Sequence, residues 1–242
     1  VVAGAAVERQ VEIGAETVRL AAEVGLAGIS IEDTAWPKEA PYPFAEAVER
    51  IRAAAGTARA GSSDFDLNPG VTLPEGRHLR PAAVLVAIDP SGPAPRVILT
   101  MRSSALRHHP GQIAFPGGKQ DAGDPDLHAT ALREAREEIG LAPDAVEILA
   151  DLPRHETVTG FDVMPVLARI TAPFAPVAEP GEVAEVFAVP LAHVLDPARF
   201  RVEQRRWKGA WRRYYTVPFG PYYIWGATAR ILRVMADMAA RP

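Results

Sequence analysis

The chain of 242 residues contains no cysteine. That excludes a disulfide framework and a thiol nucleophile, and it is compatible with a reducing compartment. No apolar run approaches the roughly 18 residues that a membrane-spanning helix needs, and no signal-peptide pattern is present. A soluble, cytoplasmic protein without a membrane partner is therefore expected. Positive charge is not in excess either: 26 Lys and Arg stand against 30 Asp and Glu, for a formal net charge of −4. A sequence-independent grip on nucleic acid needs a basic surface, so no nucleic-acid partner is expected. Aromatic residues are only 7% of the chain, but apolar residues reach 48%, ample for one sizeable core with room for an appendage. The chain opens Val1-Val2 rather than on methionine, which fits a processed, truncated or engineered product.

What is present is concentrated between Gly118 and Leu141, which read GKQDAGDPDLHATALREAREEIGL. The spacing predicts a helix that carries Glu134 and Glu138 one turn apart on one face, with Glu137 beside them. At 100° per residue the two acids fall on the same side as Leu127 and Ala131, while Arg133 and Arg136 point away. Carboxylates near an apolar face are costly unless paired or metal-bound. Glu137 and Glu138 also sit in the last turn before Gly140, where the helix dipole disfavours negative charge. Two local rules broken together mark a functional site. Asp124 followed by Pro125 fits a helix N-cap and first position.

The ending Arg133-Glu134-Ala135-Arg136-Glu137-Glu138-Ile139-Gly140-Leu141 resembles the R-E-x-x-E-E-x-G-apolar close of the Nudix box, the signature of hydrolases that cut diphosphates linked to another moiety. Upstream, Leu99-Thr100-Met101-Arg102-Ser103, Arg107, Gly111 and Phe115-Pro116-Gly117-Gly118 resemble the companion motif of the coenzyme A pyrophosphatases. The resemblance runs from about Asp64 to the C-terminus and takes in Thr159-Gly160-Phe161, the 182–187 segment and the 224–229 segment. One departure is that eight residues, not seven, separate Asp124 from Arg133, a longer loop typical of the coenzyme A branch.

The resemblance implies an α/β fold, a Nudix α/β/α sandwich with a mixed sheet. It also implies Mg²⁺ or Mn²⁺ as cofactor, and coenzyme A or an acyl or oxidised derivative as small-molecule substrate. The primary metal ligands are expected to be Glu134 and Glu138, with Glu137 contributing directly or through water. Arg133 is expected to orient the acids rather than touch substrate. For the general base, Glu182 is favoured over Glu185. Arg102, Ser103, Arg107, Gly117, Gly118 and Lys119 are the candidate substrate-binding residues, the cations as phosphate partners and the glycines as points of close backbone approach. His108 and His109 receive no role. A broader Nudix hydrolase and a non-catalytic ligand sensor are the alternatives, and nothing requires or forbids a homodimer.

Residues 1–60 have another texture, a helix–strand–helix pattern rich in Ala and Gly. Ile13, Leu20 and Val24 mark one stripe, 27–31 a short strand, and Phe44, Val48, Ile51 and Ala55 a second stripe. This segment resembles a piece of the isocitrate lyase/phosphoenolpyruvate mutase superfamily, with Glu32 and Asp33 at matched positions. One and a half units cannot close a barrel of eight, so it is expected to be a remnant or fusion scar. Residues 61–80 are expected to be linker and lead-in, and 81–242 the hydrolase domain. Within that domain, 81–88 and 97–100 are expected strands joined as a hairpin by the 90–93 turn. Further strands are expected at 146–149, 163–170 and 183–189, and a helix over 228–240. The stretch 205–215 (RRWKGAWRRYY) is expected to be a hairpin about Lys208-Gly209 with its aromatics packed on the domain, not an RNA-binding patch.

Overall fold

Residues 82–83, 85–88 and 97–99 are buried whichever way their side chains point, which places their strands at the centre of a sheet covered on both faces. The computed structural model describes residues 43–57, 61–71, 76–106, 109–207 and 209–240, all within the compact unit Pro37–Pro242. In chain order the elements are α1 (Phe44–Thr57), β1 (Ser62–Ser63), β2 (Arg80–Asp89), β3 (Arg96–Arg102), β4 (Ile113–Ala114) and β5 (Gly117–Lys119). There follow α2 (Leu127–Ile139), β6 (Val146–Asp151), β7 (His155–Glu156), β8 (Phe161–Ile170) and β9 (Val183–Pro190). The chain ends with α3 (Leu191–Val194), β10 (Arg201–Trp207), β11 (Ala210–Thr216) and α4 (Gly226–Ala239).

Among the described residues, β1 to β9 form one mixed sheet with the order β1-β7-β8-β2-β3-β4, β5 pairing β2, β6 pairing β8 and β9 pairing β3. β2 and β8 run parallel in unbroken register from Arg80↔Phe161 to Ile88↔Arg169, and the β2–β3 hairpin closes through Ile88↔Val97. Because strand side chains alternate, the sheet separates two cores. Leu85, Ala87, Ile98, Val166 and Ala168 pack with Ala131, Ala135 and Ile139 of α2. Val86, Ile88, Val97, Leu99 and Leu167 pack on the other side with Ile231, Leu232 and Met235 of α4. The result is the expected α/β/α sandwich with a mixed sheet.

The expected division at residue 60 differs from what is observed. Of the N-terminal helix–strand–helix pattern, the first helix and the strand, with Glu32 and Asp33, lie outside the described residues. The second helix, α1, packs on the domain: Ala47 and Ile51 are completely buried in the same cluster as α4 and the sheet. The 61–64 segment is engaged as well. Ser62 and Ser63 pair in parallel with His155 and Glu156, and the Ser62 hydroxyl lies 2.9 Å from Nδ1 of the buried His155. Only burial against distant elements distinguishes such a segment from a spacer.

The 205–215 stretch does form a hairpin, β10 with β11, paired from Arg201↔Thr216 to Trp207↔Ala210. Its aromatics do not all pack on the domain, since Trp211 is 64% exposed.

Candidate active site

α2 begins two residues later than Asp124 would place it. Asp126 is the N-cap and accepts from the Ala129 N–H. Asp124 is thus not the helix cap. Its carboxylate takes a bidentate pair from Arg133, Nε to Oδ1 and Nη2 to Oδ2, both 2.9 Å, and accepts from the Thr130 hydroxyl at 3.0 Å. The Arg133 guanidinium beside it, helped by the Asp121 backbone, holds its carboxyl well below the usual carboxylate range. The same pairing raises the Arg133 pKa, so the guanidinium is a permanent cation.

Arg133 does not point away from the acids, as helical spacing alone predicts. Its Nη1 donates to Glu134 Oε1 and to Glu137 Oε2, both at 3.0 Å. A long side chain can fold back along its own helix, which angular position does not register. The guanidinium therefore ties three carboxylates together, and a fourth contact, Nη2 to the Lys119 carbonyl at 3.3 Å, ties the helix to β5.

Glu138 is only 4% exposed. Its Oε2 accepts from the Gly117 N–H at 3.1 Å. Burial pushes its pKa up to about 7, and the neighbouring Glu134 and Glu182 charges add to the rise, while the Gly117 N–H and the Arg102 charge work against it. Burial also raises the Glu134 pKa, with Arg133 opposing. β5 allows this approach because it carries glycine. A Cβ on Gly118 would come 2.5 Å from Glu134 Oε1, and one on Gly117, whose φ is +153°, would come 2.4 Å from the Ala83 carbonyl.

The C-terminus of α2 is closed by Gly140 in the left-handed conformation. The 175–182 loop then wraps it, with Val177 N–H donating to the Ile139 carbonyl and Glu179 N–H to the Glu138 carbonyl. This loop carries Glu182 to the acids. The Glu182 carbonyl is held by the Ser103 N–H at 2.8 Å, and its N–H by the Glu179 carboxylate. Ser103 is buried, and its hydroxyl accepts from the Ala105 N–H in a local turn. Glu185 faces elsewhere, accepting from the Tyr222 hydroxyl at 2.6 Å. That contact pushes the Tyr222 pKa up to about 12.

Of the residues singled out from the sequence, the structure brings together Arg133, Glu134, Glu137, Glu138, Gly117, Gly118, Glu182 and Arg102. Lys119 contributes its carbonyl, while its ammonium turns to Asp121 at 3.2 Å. Arg107 lies outside the described residues. Among the described residues, no three Asp, Glu or His side chains already converge as a metal cluster, and Arg133 pairs with Glu134 and Glu137. The donors nevertheless fit a hard divalent cation, which prefers carboxylate oxygen. Two acids pressed together under burial are stabilised by an added positive charge.

From Arg102 a cleft of about 760 Å³ runs over Phe115, the start of β8 and the β10–β11 hairpin to Trp225 and Thr228 at the start of α4. It is lined by Arg80, Arg102, Arg205, Arg212 and Arg213, with Phe161, Tyr214 and Trp225. The sequence alone assigns no common cleft to Arg80 and the hairpin residues. Nothing local signals them, since alternating Arg and aromatic residues describe a surface hairpin equally well.

The NUDIX domain family model matches residues 78–209. The chain is 43% identical over 164 residues to an uncharacterized Nudix hydrolase NudL of Klebsiella pneumoniae, covering 67% of this chain and 85% of that one. It is 42% identical over 157 residues to its namesake in Cronobacter sakazakii, with 65% and 81% covered. Among solved structures, the NUDIX domain of Shewanella oneidensis NrtR complexed with ADP ribose is similar with a TM-score of 0.40, 22% identity, and 52% and 83% coverage. The fold and the acid-bearing helix define a hydrolase of pyrophosphate bonds. The chain belongs to the Nudix hydrolase family, whose members generally require divalent metal. No helix among the described residues is long and apolar enough to cross a membrane.

Proposed function

We propose that this hydrolase cleaves the diphosphate of coenzyme A, or of an acyl or oxidised derivative, to 4′-phosphopantetheine and 3′,5′-ADP. The observation that carries the proposal is the buried Glu138, beside the half-buried Glu134, within the influence of Arg102, which also lines a cleft rich in arginine. Glu134 and Glu138 would hold Mg²⁺ or Mn²⁺, with Glu137 as the additional carboxylate. When bound, the metal supplies charge neutralisation of the diphosphate and a water of lowered pKa. Arg133 orients Glu134 and Glu137, and its pairing with Asp124 fixes it in turn. The Gly117 N–H fixes one oxygen of Glu138. Arg102 offers a guanidinium to a phosphate oxygen. Glu182, on its anchored loop, takes the proton of the water as oxygen attacks phosphorus and the bridging P–O bond breaks. The displaced phosphate carries away the bonding pair.

The test is incubation of the purified protein with coenzyme A and Mg²⁺, then with Mn²⁺, followed by separation of products, with Glu138→Gln alongside. Appearance of both products, lost in the variant, is the expected result. If coenzyme A survives while other nucleoside diphosphate derivatives are cut, the substrate assignment fails. If nothing is cut with either metal, the ligand-sensor alternative replaces it.

A further inference from the structure

The cleft holds more positive charge than one diphosphate at the carboxylates requires. Beyond Arg102 its lining carries four further guanidiniums, Arg80, Arg205, Arg212 and Arg213, against the single acid Asp64. Both Asp64 oxygens are already engaged, Oδ1 with His155 Nε2 at 3.2 Å and Oδ2 with the Val158 N–H at 2.8 Å. Arg80 Nη2 donates to the Thr159 carbonyl at 3.3 Å.

Two of these guanidiniums lie over rings, Arg80 at 3.9 Å from the Phe161 centroid and Arg205 at 4.1 Å from that of Trp225. A guanidinium over a ring still has N–H groups to offer to phosphate oxygens. The hairpin that carries Arg205 is anchored to the domain. The Asn68 side-chain amide pairs with both backbone groups of Arg213, donating to its carbonyl at 2.9 Å and accepting from its N–H at 2.9 Å. Tyr214 packs edge-on against Trp225 at 5.3 Å.

We infer that the hairpin wall of this cleft is a second anionic subsite. It receives an aromatic base together with a phosphomonoester that is not part of the scissile diphosphate. Arg205 and Arg212, cross-strand partners that share one face of the hairpin, hold the phosphomonoester, and Arg80, which lies over Phe161, stacks the base. The inference rests on the proposed function for the identity of that group, the 3′-phosphate of an adenosine. It makes β10–β11, rather than the cations beside the acids, the element that separates coenzyme A from a substrate lacking this phosphate.

The test is calorimetric titration of the metal-free full chain with 3′,5′-ADP and, separately, with 5′-AMP. The expected result is binding of 3′,5′-ADP about tenfold tighter or more, as charge-assisted contacts to one phosphate imply. The preference should collapse to near unity in Arg205→Gln/Arg212→Gln and survive largely in Arg205→Lys/Arg212→Lys, with thermal unfolding confirming that each variant is folded. Equal affinities in the unaltered protein overturn the subsite, whatever the variants do. So does an unchanged preference in the folded glutamine variant. A parallel hydrolysis assay with Mg²⁺ separates the two proposals. A 3′-phosphate-dependent affinity without coenzyme A cleavage removes the proposed reaction and leaves the subsite. Cleavage of coenzyme A and of its 3′-dephospho form with equal kcat/KM removes the subsite and leaves the reaction.

Discussion

Replacing Glu138 by glutamine should make the metal-free protein more stable while destroying its activity. Glu138 is 4% exposed, and its pKa rises from 4.5 to about 7. The folded state thus binds the proton more tightly than the unfolded chain does. Below pH 4.5 the burial of this carboxyl costs nothing extra; the cost grows as pH rises and is complete above about 7. A rise of that size corresponds to about 3.5 kcal/mol, at about 1.4 kcal/mol per unit. Glutamine keeps the shape, and its carbonyl can accept from the Gly117 N–H, but its amino group gains no new acceptor. A net gain of about 2 kcal/mol is expected, or about 4–8 °C in Tm for a domain of this size. The assay is thermal unfolding in EDTA at pH 5.5, 7 and 8.5, followed by Mg²⁺ addition. The gain should be smallest at pH 5.5 and level off above 7. Mg²⁺ should raise the Tm of the unaltered protein and leave that of the variant nearly unmoved. A variant no more stable than its parent at pH 8.5, or a gain equal at every pH, would refute the reasoning.

Other outcomes follow from the same geometry. Gly118→Ala puts a Cβ 2.5 Å from Glu134 Oε1; steady-state kinetics should show kcat lowered by about a hundredfold, the scale of a small displacement at a reacting centre, with Tm changed by only a few degrees. Asp124→Asn breaks the bidentate pair that fixes Arg133, and urea unfolding at pH 7 should register a loss of about 2–4 kcal/mol. Because the Asp124 pKa is depressed, that contribution is complete above the unfolded-state value and disappears as pH falls, so the gap to the parent must narrow in acid. Ile51→Ala, at a completely buried position in α1, should cost about 2–4 kcal/mol; a negligible loss in urea unfolding would return this helix to the status of an appendage.

Much of the fold was legible in the order of residues. The strands at 81–88, 163–170 and 183–189 and the helix at 228–240 announce themselves by apolar patterning, and Ile231, Leu232, Met235 and Met238 are buried as their spacing implies. The role of 61–64 was not legible, for a physical reason. Gly61-Ser62-Ser63 is polar and flexible as a string, and only the arrival of His155 and of the β7 edge gives it partners. The helix start was misplaced because Asp124 and Asp126 both satisfy the local rule for a cap. The choice between them lies with Arg133, nine residues from Asp124.

For the site, sequence alone determined the acids. A glutamate pair one turn apart, a third beside it and a glycine stop are consequences of helical period and backbone conformation, which are local. What surrounds those acids was decided in three dimensions. The burial that lifts Glu138 comes from the sheet beneath α2 and from the glycines of β5. The anchoring of Glu182 comes from a loop that caps the helix carbonyls. The arginine-lined cleft is assembled from β2, β3, the hairpin and the α4 entrance, elements that start as far apart as Arg80 and Thr228. Charge and aromatic character belong to individual residues; a binding surface requires that several of them face one volume, and only tertiary packing brings that about.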